Sequence, residues 1–360
     1  MDGGYEDISV LDPFVLSSLC DAVDKGELER MPDGYRTLGG GISGALTGLL
    51  TFPDGSTAFF KYGERKDDAI SVVNDPYQRT LMDAQGNLDW CSYAPDLTPP
   101  VSCVRDDPGA GKVLFVREDV TAPTLRDLTY QDADAAVEGY GALMDGVCAM
   151  YARTRATGDG SSYLTDARYI LELARENDPA VAALLENDTI TINGEKVVNP
   201  LHALDALESH ADLLTAPFST WTHGDFHGGN LTYDPAAGRA GAIDFEWSKV
   251  GDYANDGGTF QAFTSLALID MSSVTVTDDG LSYDIVESEV VDRVCGTVHE
   301  RFSAFARENG DATYDDRQLL VQASKDIVLA GAHPDRKIGL AGFGEGIRKL
   351  DELYRRLERK

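Results

Sequence analysis

The chain has 360 residues, with 61 acidic and 31 basic side chains, so its formal charge at pH 7 is −30. This excess excludes sequence-independent binding to nucleic acid, which needs clustered Lys and Arg, and it disfavours binding to anionic lipid surfaces. With 42% hydrophobic and 9% aromatic residues the chain can form a core, so intrinsic disorder is not expected. The length predicts two domains or lobes of roughly 150 residues each.

The cysteines, the first residues and the most apolar stretch indicate in which cellular compartment the protein is expected. Five scattered cysteines without a Cys-x-x-Cys pair are typical of neither a disulfide framework nor a zinc site. The opening MDGGYEDISV has no signal-peptide pattern, and the most apolar stretch, 260–271, is too short and too polar to cross a bilayer. We therefore expect a cytoplasmic protein without a membrane partner, as a monomer or a small homo-oligomer.

The acidic excess has two interpretations. One is a generally acidic, highly hydrated surface similar to that of proteins from salt-loving organisms. The other is a site built for a cationic substrate. Because the acids run from Asp2 to Glu358 without clustering, the first interpretation is favoured.

The first third of the chain combines strand-like and helical patterns. Two β-rich runs flank Pro53-Asp54-Gly55-Ser56, and Asp-Gly between such runs predicts a hairpin. The predicted elements are a short helix within 12–30, strands at 45–52, 57–62, 99–105 and 112–118, and a helix at 77–93. After the short leading helix, this third is therefore expected to form a small antiparallel sheet with one helix.

From about Thr124 the pattern becomes mainly helical, with apolar residues recurring every three or four positions. Two segments instead place a turn dipeptide between alternating residues, which predicts small hairpins inside a helical domain. The predicted helices are 132–156, 163–185 and 347–360, and the predicted hairpins are 189–198 and 274–285.

A glycine-rich segment and a lysine suggest phosphate binding. Gly39, Gly41 and Gly44 satisfy GxGxxG, but the residues up to Pro53 are strand-like and do not form the helix that a dinucleotide fold requires. The glycines predict a flap whose backbone N–H groups approach phosphates, with an ordinary hairpin as the alternative. Lys61, in the following strand, is a candidate phosphate contact; snorkelling from an edge strand is its alternative.

The strongest pattern is WTHGDFHGGNL at 221–231, followed by AGAIDFEW at 240–247. A hairpin between the two would bring Asn230 and Asp244 together at its open end. One amide oxygen and one carboxylate suit Mg²⁺ that keeps waters and phosphate oxygens as its other ligands. Asp225 is then left to orient and deprotonate an attacking hydroxyl. The alternative, a set of unrelated solvated acids, does not account for this spacing.

HGDFHGGN resembles the catalytic-loop motif HGDLHPGN of the aminoglycoside phosphotransferase/choline kinase family, and Ile243-Asp244-Phe245-Glu246 resembles its metal-binding IDFE or IDWG segment. Gly251-Asp252 and Asp256 are similar to its GDPxxDLA element. The resemblance implies an α+β, protein-kinase-like fold with two lobes. An antiparallel-sheet N-lobe at 1–119 would bind nucleotide, and a mostly helical C-lobe at 120–360 would carry the catalytic loop, the metal site and the acceptor site.

The resemblance also implies a role for each matched residue. Asp225 would be the catalytic base. The implied nucleotide-binding residues are Gly41, Ser43 and Gly44 in the flap, Lys61 with Asp83 as its partner, and Glu118 and Val120, whose backbone would meet adenine. The implied metal ligands are Asn230, Asp244 and Glu246, with an exposed carboxylate as the alternative for Glu246. The implied supports are His223 and His227, which would brace the loop, and Asp252, which would anchor its backbone.

The sequence departs from the family pattern at three places. Gly228 stands where the family often has Pro, and Asn255-Asp256-Gly257 replaces the common Asp-Leu-Ala portion. The lysine partner is normally Glu, whereas Asp83 is one methylene shorter, and Gly86 weakens its helix.

The sequence therefore predicts an ATP- and Mg²⁺-dependent small-molecule kinase, with GTP as the alternative donor. Its acceptor would be a hydroxyl of an aminoglycoside, an amino-alcohol such as choline or ethanolamine, or a sugar; candidate acceptor-lining acids lie in 246–256 and after residue 285. A nucleotide-binding pseudokinase, acting as a regulatory or binding module, is the second hypothesis; the departure at Asp83 and the lack of a recognisable substrate motif favour it. A dinucleotide-dependent oxidoreductase is disfavoured because no βαβ unit follows the glycines of this sequence. A protein kinase is disfavoured because the sequence has no HRD, DFG and APE set.

Overall fold

The computed structural model describes residues 5–38, 44–66, 75–157 and 163–359. Contacts divide the chain into two compact units: the first comprises 1–123 and 230–249, and the second comprises 124–229 and 250–360. The first junction thus follows Pro123 rather than residue 119, and a later hairpin returns to the first unit.

Strands are found in both units. In chain order they are β1 (Glu6–Asp7), β2 (Gly34–Leu38), β3 (Leu46–Thr51), β4 (Thr57–Glu64), β5 (Val101–Asp107), β6 (Lys112–Glu118), β7 (Thr189–Ile192), β8 (Glu195–Val198), β9 (Thr220–Thr222), β10 (Leu231–Asp234), β11 (Arg239–Ala242), β12 (Lys249–Gly251), β13 (Ile269–Thr277) and β14 (Gly280–Ile285). The strands predicted from the sequence are confirmed, with small shifts at their ends.

Helices dominate the second unit. The first unit contains α1 (Pro13–Asp24) and α2 (Pro76–Tyr93). The second contains α3 (Leu125–Gln131), α4 (Ala133–Thr154), α5 (Tyr163–Asn177), α6 (Pro179–Leu184), α7 (Pro200–Glu208), α8 (Ala254–Leu266), α9 (Glu289–Glu308), α10 (Tyr314–Ala332) and α11 (Arg336–Leu357). The predicted helix 163–185 is two helices, because Asp178 caps a new helix that begins with Pro179. The terminal helix begins eleven residues earlier than predicted, at Arg336 rather than 347.

The first unit is built on an antiparallel six-stranded sheet in the order β1-β2-β3-β4-β6-β5. Phe60 of β4 belongs to an apolar cluster that also contains Val15 and Leu19 of α1. Because side chains alternate along a strand, Lys61 lies on the opposite face, where α2 packs against β4. The sheet thus separates an apolar face from a face that carries a buried lysine.

The second unit combines helices with a small four-stranded sheet in the order β13-β14-β7-β8. Both hairpins predicted here are confirmed, and a parallel pairing of β14 with β7 joins them into one sheet. The main core of this unit is apolar, and it includes Leu171, Leu204, Leu320 and Leu350 from four different helices. Within the described part of the chain, no helix is both long and apolar enough to span a bilayer.

Candidate active site

Only part of the glycine flap can be placed. Gly41 and Ser43 lie outside the described residues. Gly44 has a φ of 68°, a left-handed conformation that favours glycine, and it directly precedes the stretch that leads into β3. Lys66 approaches it closely, since a Cβ built on Gly44 would lie 3.1 Å from the Lys66 Nζ.

Lys61 lies at the centre of a buried charge cluster in the first unit. Its Nζ is 2.8 Å from Asp83 Oδ2, 3.4 Å from Glu246 Oε2 and 3.5 Å from Asp244 Oδ1. Burial alone would lower the pKa of Lys61, but the three carboxylates, Asp83 first, outweigh burial and raise it. The lysine therefore stays protonated, with its charge fixed beside Asp244.

Asp83 is held from two sides. Its Oδ2 accepts the Lys61 ammonium, and its Oδ1 accepts the backbone N–H of Phe245 at 2.8 Å. Gly86 lies one turn further along α2, and a Cβ there would lie 2.3 Å from the Phe245 carbonyl oxygen. Because glycine has no Cβ, α2 comes close enough for the short Asp83 carboxylate to reach the Phe245 N–H. The glycine that weakens the helix thus lets α2 approach the 243–246 segment closely.

Glu246 lies in a buried ion pair that the sequence did not predict. Both of its carboxylate oxygens accept hydrogen bonds from the Arg79 guanidinium, and Glu246 is 4% exposed. The metal role of Glu246 stays a prediction; what the structure shows is its carboxylate in a buried ion pair. Sequence reasoning missed Arg79; the available signal was its position four residues before Asp83, on the same face of α2.

Asn230 and Asp244 flank the open end of the β10–β11 hairpin. The register pairs Leu231 with Ala242, and the Ile243 N–H donates to the Asn230 carbonyl at 2.9 Å. Asp244 has a φ of 63°, an unusual conformation that Asp tolerates and that often marks functional positions.

The donor chemistry at this hairpin fits Mg²⁺. Asn230 is buried, while the Asp244 side chain is 40% exposed, so a carboxylate and an amide oxygen are offered at the edge of the unit. In the described ranges, no three or more His, Cys, Asp and Glu side chains are grouped so that they could hold a metal. A metal at Asn230 and Asp244 would therefore take its remaining ligands from water and phosphate.

The segment expected to meet adenine borders a cavity of about 260 Å³ in the first unit. Glu118, Asp119 and Val120 line one side, and Thr232 and Gly241 of the β10–β11 hairpin line another.

Asp225, in the second unit, lies in the loop after β9. His227 Nδ1 accepts the Gly229 N–H at 3.1 Å, which leaves its Nε2 to carry the proton, 3.5 Å from Asp225 Oδ2. Burial would raise the pKa of Asp225, but the hydrogen bond from His227 and the nearby His223 and Lys325 lower it to about 2. Asp225 is therefore ionised at neutral pH, as a proton acceptor must be.

The loop is anchored by Asp256 and not by Asp252. The two oxygens of Asp256 accept the N–H groups of His223 and Gly224, each at 2.8 Å, and one of them also accepts the Tyr151 hydroxyl at 2.6 Å. Asp256 is fully buried at the start of α8. The resemblance to the family motif included Asp256, but it implied the anchoring role for Asp252, four residues earlier.

Asp252 instead takes part in a buried ion-pair network. Its carboxylate accepts two hydrogen bonds from Arg317, at 2.8 and 3.2 Å, and also caps the Ala254 N–H. Arg317 bonds in turn to Asp311, which also accepts the Tyr253 hydroxyl. This network fixes the entry to α8, and hence it positions Asp256.

A sequence model of the phosphotransferase enzyme family (APH) matches residues 55–270. The chain belongs to this family. The match extends from the loop before β4, past the loop that carries Asp225 and the β10–β11 hairpin, to the start of β13, so it includes Lys61, Asp225 and Asp244. No curated protein matches the sequence.

Solved structures share the fold of this phosphotransferase at low sequence identity. Aminoglycoside phosphotransferase APH(4)-Ia, solved with AMP-PNP and hygromycin B, has a TM-score of 0.52 at 12% identity, with 89% of this chain and 93% of that chain covered. Amicoumacin kinase hAmiN, solved with AMP-PNP, Ca²⁺ and Ami, has 0.51 at 14%, with 96% of both chains covered. Choline kinase LicA from Streptococcus pneumoniae has 0.51 at 14%, with 92% and 98% covered.

The departure from the family motif at Gly228 has a local cause in this phosphotransferase. A Cβ at Gly228 would lie 2.5 Å from the Tyr140 hydroxyl and 3.2 Å from Arg126. The Gly228 carbonyl accepts the Arg126 N–H at 2.9 Å. The loop therefore packs against α3 and α4 at a distance that leaves no room for a proline ring.

Proposed function

We propose that this phosphotransferase transfers the γ-phosphoryl group of Mg²⁺-ATP to a hydroxyl of a small acceptor. The observation that carries the proposal is the buried ion pair of Lys61 with Asp83, which holds a protonated lysine within 3.5 Å of Asp244. A fixed cation beside a metal-suited carboxylate is what binding of polyphosphate requires. The crystallised relatives hold AMP-PNP, which agrees with ATP as the donor.

Each residue then has one task. Lys61 contacts phosphate oxygens, while Asn230 and Asp244 supply oxygens for Mg²⁺, which when bound neutralises charge on the phosphates. Asp225, held by His227, accepts a hydrogen bond from the acceptor hydroxyl and takes its proton as the new P–O bond forms. We propose further that the backbone near Glu118 and Val120 meets the nucleotide base.

The pseudokinase hypothesis loses the support that it drew from the Lys61 partner, because the short Asp83 does pair with Lys61. The remaining polar set, Asp225 with Asn230 and Asp244, is complete. No observation favours this second function.

The test is nucleoside diphosphate release from ATP and from GTP with a panel of hydroxyl compounds, for the wild type and Asp225→Asn. We expect the variant to lose activity on the order of a hundredfold or more, since it cannot accept the proton. Asp212→Asn, at an exposed carboxylate of the same unit, is the control and should retain full activity. Equal turnover by the wild type and Asp225→Asn would overturn the proposal.

A further inference from the structure

A large cavity lies beside the catalytic loop, wholly within the second unit. It has a volume of about 500 Å³, which is the size of a small-molecule site. His227 lines it, and the same imidazole places its Nε2 3.5 Å from Asp225. The cavity therefore begins one side chain away from the residue that we propose to be the base.

The walls of this cavity are apolar. The buried side chains of Leu266, Ile269 and Val291 line it, together with Met271 and Leu329. Two large hydrophobic side chains at the lining remain exposed: Tyr130 is 66% exposed, and Phe263 is 40% exposed. Phe263 also packs on His227, with ring centroids 5.1 Å apart. Exposed aromatic residues at the rim of an apolar cavity indicate a ligand with an apolar body.

The charges at this cavity do not suit a cation. Its charged or titratable cationic residues are Arg126, His227 and His333, and none of the described residues that line it is Asp or Glu. This is notable in a chain with 61 acids and 31 bases. Arg126 is exposed, and its Nη1 would lie 3.5 Å from a Cβ at Gly229, beside the catalytic loop.

Three of the acids that were candidates for binding an amine, all within 246–256, have other partners. Within 246–256, Glu246 pairs with Arg79, Asp252 pairs with Arg317, and Asp256 holds the loop backbone. Two of these acids are thus neutralised by arginines, and the third accepts hydrogen bonds from the loop backbone, so none of the three is placed to bind an amine group of the acceptor.

We infer that the acceptor is a hydroxyl compound with a neutral or anionic, apolar body such as an aryl or branched alkyl group, and not a polyamine such as an aminoglycoside. This rests on the proposed function, since it concerns the acceptor of the same reaction. The apolar body lies against Phe263 and Tyr130, and the hydroxyl reaches Asp225 past His227. Phosphoryl transfer forms the O–P bond to the acceptor, breaks the bond between the γ-phosphorus and ADP, and passes the hydroxyl proton to Asp225.

Matched acceptor pairs test the inference with the full chain and Mg²⁺-ATP. Phenyl glucoside is compared with methyl glucoside, choline with neohexyl alcohol (in which carbon replaces the nitrogen), and hygromycin B serves as a polycation. We expect kcat/KM to be about tenfold higher for the apolar member of each pair. Phe263→Ala and Tyr130→Ala should raise the KM for the apolar acceptors severalfold, while Tyr169→Ala, at an equally exposed aromatic outside the cavity, should not.

The outcomes separate the two proposals. If choline or hygromycin B is phosphorylated at least as well as the apolar compounds, the inference on the acceptor is overturned and the phosphotransferase function stands. If ATP hydrolysis is intact but phenyl glucoside neither binds in calorimetry nor is phosphorylated, the inference is likewise overturned. Absence of ATP binding by the wild type would overturn the proposed function itself.

Discussion

The Lys61 ammonium lies 2.8 Å from one oxygen of Asp83, and the other oxygen of Asp83 accepts the Phe245 N–H at the same distance. A single short carboxylate thus ties β4, α2 and the segment after β11 together inside the first unit. The contact to Phe245 also fixes the backbone directly after Asp244. The lysine partner is therefore a structural support for the hairpin that carries Asp244.

Removing Asp83 should leave a buried ammonium and a buried N–H without their closest acceptor. We expect Asp83→Ala to lower the free energy of unfolding by about 3 kcal/mol and to raise the KM for ATP. Asp83→Glu keeps the charge but adds a methylene where α2 is tightly packed, so its cost should be smaller, about 1–2 kcal/mol. Urea unfolding and ATP titration measure both effects. A Glu variant less stable than the Ala variant would contradict this ranking.

Gly86 should tolerate no side chain. An added methyl would lie 2.3 Å from the Phe245 carbonyl oxygen, so Gly86→Ala should destabilise the protein by about 2 kcal/mol, despite the higher helix propensity of Ala. Gly141→Ala in α4 is the matched control, because nothing lies within 4 Å of its Cβ position. The control should stabilise the protein by about 0.5–1 kcal/mol. Thermal unfolding of the two variants should therefore shift in opposite directions.

The anchoring role of Asp256 can be separated from general stability. Asp256→Ala removes the acceptor of two loop N–H groups, so kcat should fall and the free energy of unfolding should decrease by about 3 kcal/mol or more. Tyr151→Phe removes only the hydroxyl bond to Asp256, at a cost of about 1–2 kcal/mol, and should leave kcat nearly unchanged. Equal loss of kcat in both variants would show that the loop does not depend on the two backbone bonds.

The metal requirement should distinguish Asp244 from Glu246. Asp244→Asn removes a charged ligand, so the Mg²⁺ concentration for half-maximal activity should rise by about tenfold or more. Glu246→Gln weakens a buried ion pair with Arg79 and should instead lower the unfolding temperature, with the Mg²⁺ requirement unchanged. Titration of Mg²⁺ after chelation with EDTA measures both. A raised Mg²⁺ requirement in Glu246→Gln would instead support the predicted metal role of Glu246.

Asp225 should contribute stability that depends on pH. Its pKa is about 2 in the folded chain and 3.8 as the ordinary value, so the folded state favours the ionised form. That contribution is fully present above about pH 5 and is lost as the pH falls through the folded pKa, which amounts to about 2 kcal/mol. The stability difference between the wild type and Asp225→Asn, from urea unfolding, should therefore shrink from pH 5 to pH 2.5. A constant difference over this range would show that the pKa of Asp225 is not lowered.

Much of the site was predictable because its residues are close in sequence. Asp225, Asn230 and Asp244 fall within twenty positions, and a turn between two strand-like runs is enough to place Asn230 and Asp244 at one hairpin end. Lys61 was predictable as well, because burying an ammonium group inside an apolar strand is costly unless the group is paired. The partners of these residues were less accessible. Arg79 and Glu246 are 167 residues apart, and no local pattern pairs them.

The sequence by itself determined most helices and strands, because turns, helix caps and the alternation of apolar and polar residues are local signals. It also determined the family motif and the order of the candidate site residues, because a motif depends only on spacing along the chain. Tertiary structure alone decided which acids serve which task. Glu246 pairs with Arg79 and Asp256 holds the loop, while Asp252 is neutralised by Arg317. It also brought two hairpins into one sheet and placed no carboxylate among the described residues that line the cavity beside His227. The physical reason is that burial makes an unpaired charge costly, so these three acids bind donors that lie near them in space, whatever the distance along the chain.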